Sequence, residues 1–171
     1  MADGYLGGVA LSILELFIGM IIAIFTIYNG IHLFDRLTKG MNEWKELKKG
    51  NLAVGVLLAA FILSLVFMIE PSITMLSDSL SSAVGLRGIA LAFVIGLINI
   101  LIALLFSVLV MFLTMTVFDQ ITTDIDEMSE LKKGNVAIAI LLAAVFLAVS
   151  LVVRTAIGSL LLSVNLSGLI A

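Results

Sequence analysis

Three stretches of this chain, residues 50–69, 88–118 and 134–153, carry no ionisable side chain, and between Asp3 and Asp35 only Glu15 and His32 interrupt a fourth apolar run. A helix of about 20 apolar residues crosses a hydrocarbon layer about 30 Å thick. Inside that layer every peptide N–H and C=O has to be paired within the protein, which leaves helices or closed barrels. The runs are continuously apolar rather than alternating, and that excludes a barrel. The expectation is an all-α, polytopic membrane protein with four transmembrane helices, at about 9–33, 51–72, 90–118 and 135–156. Composition agrees: 62% of residues are hydrophobic and 12% charged, against about half and a quarter in a soluble domain. A chain of 18.2 kDa has too little interior to hide that much apolar surface in water. The N-terminus carries Asp3 and no Lys or Arg before Arg36, so the first run is expected to stay as a span rather than be removed as a leader.

The cations set an expected orientation. Arg36, Lys39, Lys45, Lys48 and Lys49 follow the first run, and Lys132 and Lys133 follow the third. Lys and Arg in short loops stay on the cytoplasmic side. Both loops are therefore expected in the cytoplasm and both termini outside, in a multi-pass protein of the inner (cytoplasmic) cell membrane.

The chain also repeats itself. EWKELKKGNLAVGVLLAA begins at Glu43 and EMSELKKGNVAIAILLAA at Glu127, 84 residues later; over Phe34–Leu63 and Phe118–Leu147, 16 of 30 positions are identical. The reading is one membrane domain over 1–171, built from a duplicated two-helix unit at about 4–87 and 88–171. Two spans return the chain to its starting side, so both units are expected to enter the membrane in the same sense, as parallel repeats.

An acid-rich turn followed by E-L-K-K-G-N-x-A and a small-residue apolar helix, present at Glu46–Ala53 and again at Glu130–Ala137, resembles the YjfL-type inner-membrane family, a domain of unknown function (number 350) that usually occurs twice per chain. The resemblance covers nearly the whole chain. It implies a four-span membrane protein and no defined biochemical activity.

The motif has a physical reading of its own. Asn51 and Asn135 stand where an interfacial segment becomes a span, and Asn is among the best N-caps. Gly50 and Gly134 permit the bend before each cap. Trp44, Lys48, Lys49, Lys132 and Lys133 are expected to anchor the segment at the lipid headgroups. A cation or nucleotide site at the caps is the competing reading. Met41, Trp44 and Leu47, like Ile125, Met128 and Leu131, recur every three residues and predict a short helix with an apolar stripe. The stripe would lie flat at the interface or dock a cytoplasmic partner, and Asp124 with Glu127 resembles a capping box. Small residues four apart (Gly55 and Ala59, Ala139 and Ala143, Ala144 and Ala148) predict close contact between the second and fourth spans.

The polar residues inside the runs fall in one layer. Glu70 and Arg154 each lie 19 residues past their cap, roughly 28 Å along a helix. Glu15 and Asn99 lie 19 residues before Phe34 and Phe118. These four are two repeat-related pairs near the outer edge of the hydrocarbon. A charge there needs a partner or water, so Arg154 is expected to pair with Glu70, Glu15 or both. Ser64, Ser107, Thr114 and Asn29 offer a sparse polar trail toward His32. Pro71 is expected to kink or break the second helix. The pieces following Glu70 and Arg154 are expected to extend their helices and then lie along the outer interface. The tail stripe of Leu160, Leu161 and Val164 is expected to meet another protomer.

Cysteine is absent and His32 is the single histidine, so thiolate and multi-histidine metal sites are excluded. With 9 basic and 12 acidic residues there is no cationic excess for nucleic acid. No catalytic constellation, metal or cofactor is expected. The expected role is a structural or scaffolding membrane protein, as a homo-oligomer or a subunit of a larger assembly. The alternative is a small oligomeric ion channel or a proton- or cation-coupled transporter using the Glu/Arg layer.

Overall fold

A computed structural model describes residues 2–38, 41–122 and 126–163. Six helices follow one another: α1 (Ala2–Leu37), α2 (Glu43–Lys48), α3 (Leu52–Ser82), α4 (Gly85–Ile121), α5 (Glu127–Lys132) and α6 (Val136–Ser163). Among the described residues there is no strand. Four helices, over Ser12–Leu37, Leu52–Ser82, Gly85–Ile121 and Val136–Ser163, are long and apolar enough to cross a membrane. They run longer than charge spacing alone implies. The 31 residues of α3 reach about 46 Å, against a hydrocarbon layer of about 30 Å.

The extra length corrects two expectations. Only Ala83 and Val84 separate α3 from α4, so the piece after Glu70 continues its helix and makes no separate segment along an interface. Nor does Pro71 break α3, which runs unbroken through it. Around the ring, the Ser72 hydroxyl donates to Ile69 O at 2.6 Å and the Thr74 hydroxyl to Glu70 O at 3.2 Å. Gly158 of α6 stands opposite the ring, at a distance where a Cβ would make an ordinary van der Waals contact of 3.5 Å.

α3 is the hub. It packs against α6, α4 and α1, and the α3–α6 interface is the largest in the chain. Of the most apolar stretch of α3, 56% is buried, against 17% for α1. An aromatic ladder crosses the hub: Phe34 of α1 meets Phe61 of α3 edge-on at 5.2 Å, and Phe61 meets Phe146 of α6 at 5.4 Å. Like ends of α3 and α6 meet, for Asn51 reaches the α5 segment just ahead of α6, and Glu70 reaches Arg154.

The small-residue pairs divide. Ala139 and Ala143 are buried in the core shared with α3, as expected. Gly55 instead faces Leu47 of α2 at 3.5 Å, and Ala59, Ala144 and Ala148 are exposed. The stripes of the short helices divide too. Met41 and Leu131 are buried in the core and Leu47 packs against it, while Trp44 is exposed. α2 and α5 therefore turn most of their stripe toward the bundle. Leu161, expected to meet another protomer, is fully buried within the chain; Val164 lies outside the described residues.

The tightest helix approach is α3 on α4. A methyl group on Gly96 would stand 2.2 Å from Leu76 Cδ1 and 3.0 Å from its Cβ. Gly96→Ala is therefore expected to destabilise the chain by about 1–3 kcal/mol through overpacking. Gly19→Ala, where nothing lies within 4 Å, should be close to neutral. Thermal unfolding of both variants in detergent checks the contrast.

Candidate functional site

The chain changes direction in two related turns, and most of its charged side chains gather there. The long helix before each turn ends on a threonine. The Thr38 hydroxyl donates to the Glu43 carboxylate, and the Thr122 hydroxyl to that of Glu127. The short helix then starts on a side-chain cap: Asn42 Oδ1 accepts from Lys45 N at 2.8 Å, and Asp126 Oδ1 from Ser129 N at 3.0 Å. Asp126 thus caps α5, not Asp124, which with Ile125 lies outside the described residues. The backbone reverses at Gly50 (φ 79°) and Gly134 (φ 82°), a conformation costly for any residue with a Cβ.

Asn51 and Asn135 open the long helices as caps. Asn51 Oδ1 accepts from Val54 N at 3.3 Å, and Asn135 Oδ1 accepts from Ala137 N at 3.1 Å and Ile138 N at 3.4 Å. Glu46 and Glu130 lock each cap from behind, which spacing alone does not reveal. Glu46 accepts from Lys49 Nζ at 2.6 Å and Asn51 Nδ2 at 3.2 Å; Glu130 accepts from Lys133 Nζ at 2.7 Å and Asn135 Nδ2 at 2.8 Å. Lys49 and Lys133 therefore bend back onto their own turns, while Lys48, Lys132 and Trp44 are exposed. One bond of the first turn crosses to the other unit: Asn51 Nδ2 also donates to Leu131 O at 2.9 Å.

The acids of the turns split into two kinds. Lys49 and then Asn51 hold the Glu46 carboxyl below its ordinary value, and Asn135 and then Lys133 do the same for Glu130. Glu43 and Glu127 go the other way. Burial raises both; the Asp35 carboxyl raises Glu43 further against the Thr38 bond, and the charges of Asp119 and Asp126 add to Glu127.

Just past the middle of α3, Glu70 Oε2 meets Arg154 Nη2 at 2.8 Å, with 44% and 42% of the two side chains exposed. This joins two of the four expected layer residues. Asn99 is buried on α4, one turn from the Gly96–Leu76 contact that sets it near this level of α3. Glu15 lies on α1, and its side chain is outside the described residues.

The polar trail does not join up. Thr26, Ser72, Ser107, Thr114 and Ser150 all donate to carbonyls of their own helices. Ser64 Oγ is buried with no hydrogen-bond partner among the described residues. His32 Nδ1 donates to Tyr28 O at 3.0 Å, and its ring packs on the Tyr28 ring at 4.3 Å. Together with Asn29 and Arg36 it lines an open cleft of about 170 Å³. Among the described residues no three His, Asp or Glu side chains are grouped as a metal site.

The raised pKa values carry a sign. The folded chain holds a proton on Glu43 and Glu127 more readily than the unfolded chain, so stability falls as pH rises from the ordinary value of 4.5 through the raised one. Glu43→Gln and Glu127→Gln keep the acceptor for the threonine and remove the buried charge. Both variants should melt higher than the parent at pH 7, and the gain should vanish below about pH 4, where the glutamates are already neutral. Melting curves across that range check it.

No curated protein and no solved structure matches the chain. The family model described as Domain of Unknown Function (DUF350) matches it twice, over residues 8–98 and 93–171. The chain belongs to the DUF350 family and carries its domain in two copies.

Proposed function

We propose that this protein is a non-catalytic, structural membrane component that works as a homo-oligomer or as a subunit of a larger membrane assembly. The observation that carries the reading is how its polarity is spent. The buried hydroxyls of Thr26, Ser107 and Ser150 bond to their own helices, Ser64 alone of the described buried hydroxyls standing without a partner, and Glu70 is committed to Arg154, while long apolar faces of α1 and α6 stay uncovered. Uncovered helix faces of this length suit contact with lipid or with further helices.

The same reading places the two units in the membrane in the same sense, with the α2 and α5 turns in the cytoplasm and both termini outside. The meeting of like ends of α3 and α6 supports it, as do the lysines of the turns. The chain has no cysteine, so Lys45→Cys and Ser129→Cys can be labelled one at a time in intact cells. Neither should react with an impermeant maleimide until the cytoplasmic side is opened. Labelling of the two positions from opposite sides would remove the topology.

A second reading, an oligomeric channel or a proton- or cation-coupled transporter, draws on Glu70, Glu15 and Arg154 as an outer polar layer. Flux through proteoliposomes holding the purified oligomer separates the two. The scaffold reading expects ion flux no greater than in protein-free vesicles. Flux that disappears in Glu15→Gln or Glu70→Gln with assembly unchanged would establish the transport reading instead.

A further inference from the structure

The joint between α3 and α6 is not symmetrical. Pro71 seats on Gly158, and the α3 residues that share its face at helical spacing are Ala53, Leu57, Ala60, Ser64 and Met68, each 5% exposed or less. α6 answers with a different face, through Ala139, Ala143, Phe146, Ser150 and Ile157, all buried. Moved forward by the 84-residue repeat, the α3 face becomes Ala137, Leu141, Ala144, Ala148 and Val152, and every one is exposed. Moved back, the α6 face becomes Gly55, Ala59, Ile62, Val66 and Ile73, and none is buried. The chain thus holds one complete joint, an open α6 half of a second, and the matching α3 half, which α1 covers in part at Ile62 and Ile73.

The first helices of the two units repeat the pattern. In the first unit, Leu104 and Val108 of α4 lie over the groove between α1 and α3, beside Leu33 and Leu65. The corresponding groove of the second unit, between α4 and α6, is open. It measures about 500 Å³ and is lined by Val117, Phe118, Val145 and Val149 among others. The residues that correspond to Leu104 and Val108 are Met20 and Ile24 of α1, 51% and 61% exposed.

We propose that copies of this chain join head to tail by the step that joins its own two units. The outer face of α6 in one copy holds the outer face of α3 in the next, and α1 of that next copy fills the α4–α6 groove. The inference rests on the homo-oligomer reading and gives it a surface. Two polar contacts fall into place with the same step. Asn135, the counterpart of Asn51, uses one amide hydrogen on Glu130, and the other meets the Leu47 carbonyl of the next copy as Asn51 meets that of Leu131. Glu70 is the counterpart of Arg154, so Arg154 of one copy faces Glu70 of the next, and the half-exposed pairs continue as alternating charges around the assembly. A joint of two different faces closes into a ring or runs on as a filament.

Cysteine cross-linking tests the joint in membranes without background, since the chain has no cysteine. Ala59→Cys and Ala144→Cys, both at exposed positions, are expressed separately and together on differently tagged chains, then oxidised with copper phenanthroline. A disulfide-linked band at twice the chain mass, formed only when the two variants are mixed, is expected. The double variant in one chain should give a ladder of higher multiples. Ala144→Cys linking to itself but not to Ala59→Cys overturns the head-to-tail joint in favour of a face-to-face pair. No cross-link while native mass spectrometry shows an oligomer overturns this joint and leaves the oligomer reading standing. No cross-link with a monomeric particle overturns both and gives the α6 face to lipid.

Discussion

An unpaired peptide group in hydrocarbon costs several kcal/mol, roughly as much as a good part of a small protein's whole stability. That cost governs this chain. It forces the apolar runs into helices and makes the helix starts, where N–H groups are otherwise orphaned, the places where side-chain chemistry is most needed. The two turns are the answer: a threonine closing one helix, a glycine at positive φ, an asparagine opening the next, and a glutamate holding that asparagine in place. The same arrangement is built twice from nearly the same residues, as the duplication requires.

Once the helices exist, the hydrophobic effect no longer sorts them, because lipid tails are as apolar as leucine side chains. Close packing takes over. α3 is central because it offers buried contact on several sides, to α6 through small residues, to α4 through Gly96, and to α1 through Gly30, where a Cβ would stand 2.9 Å from Leu65. α1 has one such contact and remains mostly uncovered. The half-exposed Glu70–Arg154 pair sits on the flank of the best-packed interface. Deeper in the bundle the Ser107 and Ser150 hydroxyls are turned to their own backbones, while Ser64 has no partner among the described residues.

Much of this was readable from residue order. Charge-free runs marked the four helices, the 84-residue repeat marked the duplication, and Asn after Gly marked the caps. Counting residues from each cap brought Glu70 and Arg154 to one level. Other features could not be read this way. Glu46 and Glu130 as partners of the caps depend on a glycine reversal that folds the short helix back. Of three small-residue pairs at the same spacing, only Ala139 and Ala143 are buried in the core, because spacing identifies a face without saying what it meets.

Residue order by itself determined the helices, their number, the duplication and the chemistry of the turns, for these are set within a few residues by backbone pairing and charge burial. Tertiary structure decided which faces meet. A duplicated unit presents the same two faces twice, and only packing determines which copy of each is used within the chain. Here the front of α3 took the back of α6, and the front of α6 was left open. Residue order marks that choice only faintly, in Ser64, Phe146 and Ser150 of the joined faces, whose repeat counterparts are Ala148, Ile62 and Val66.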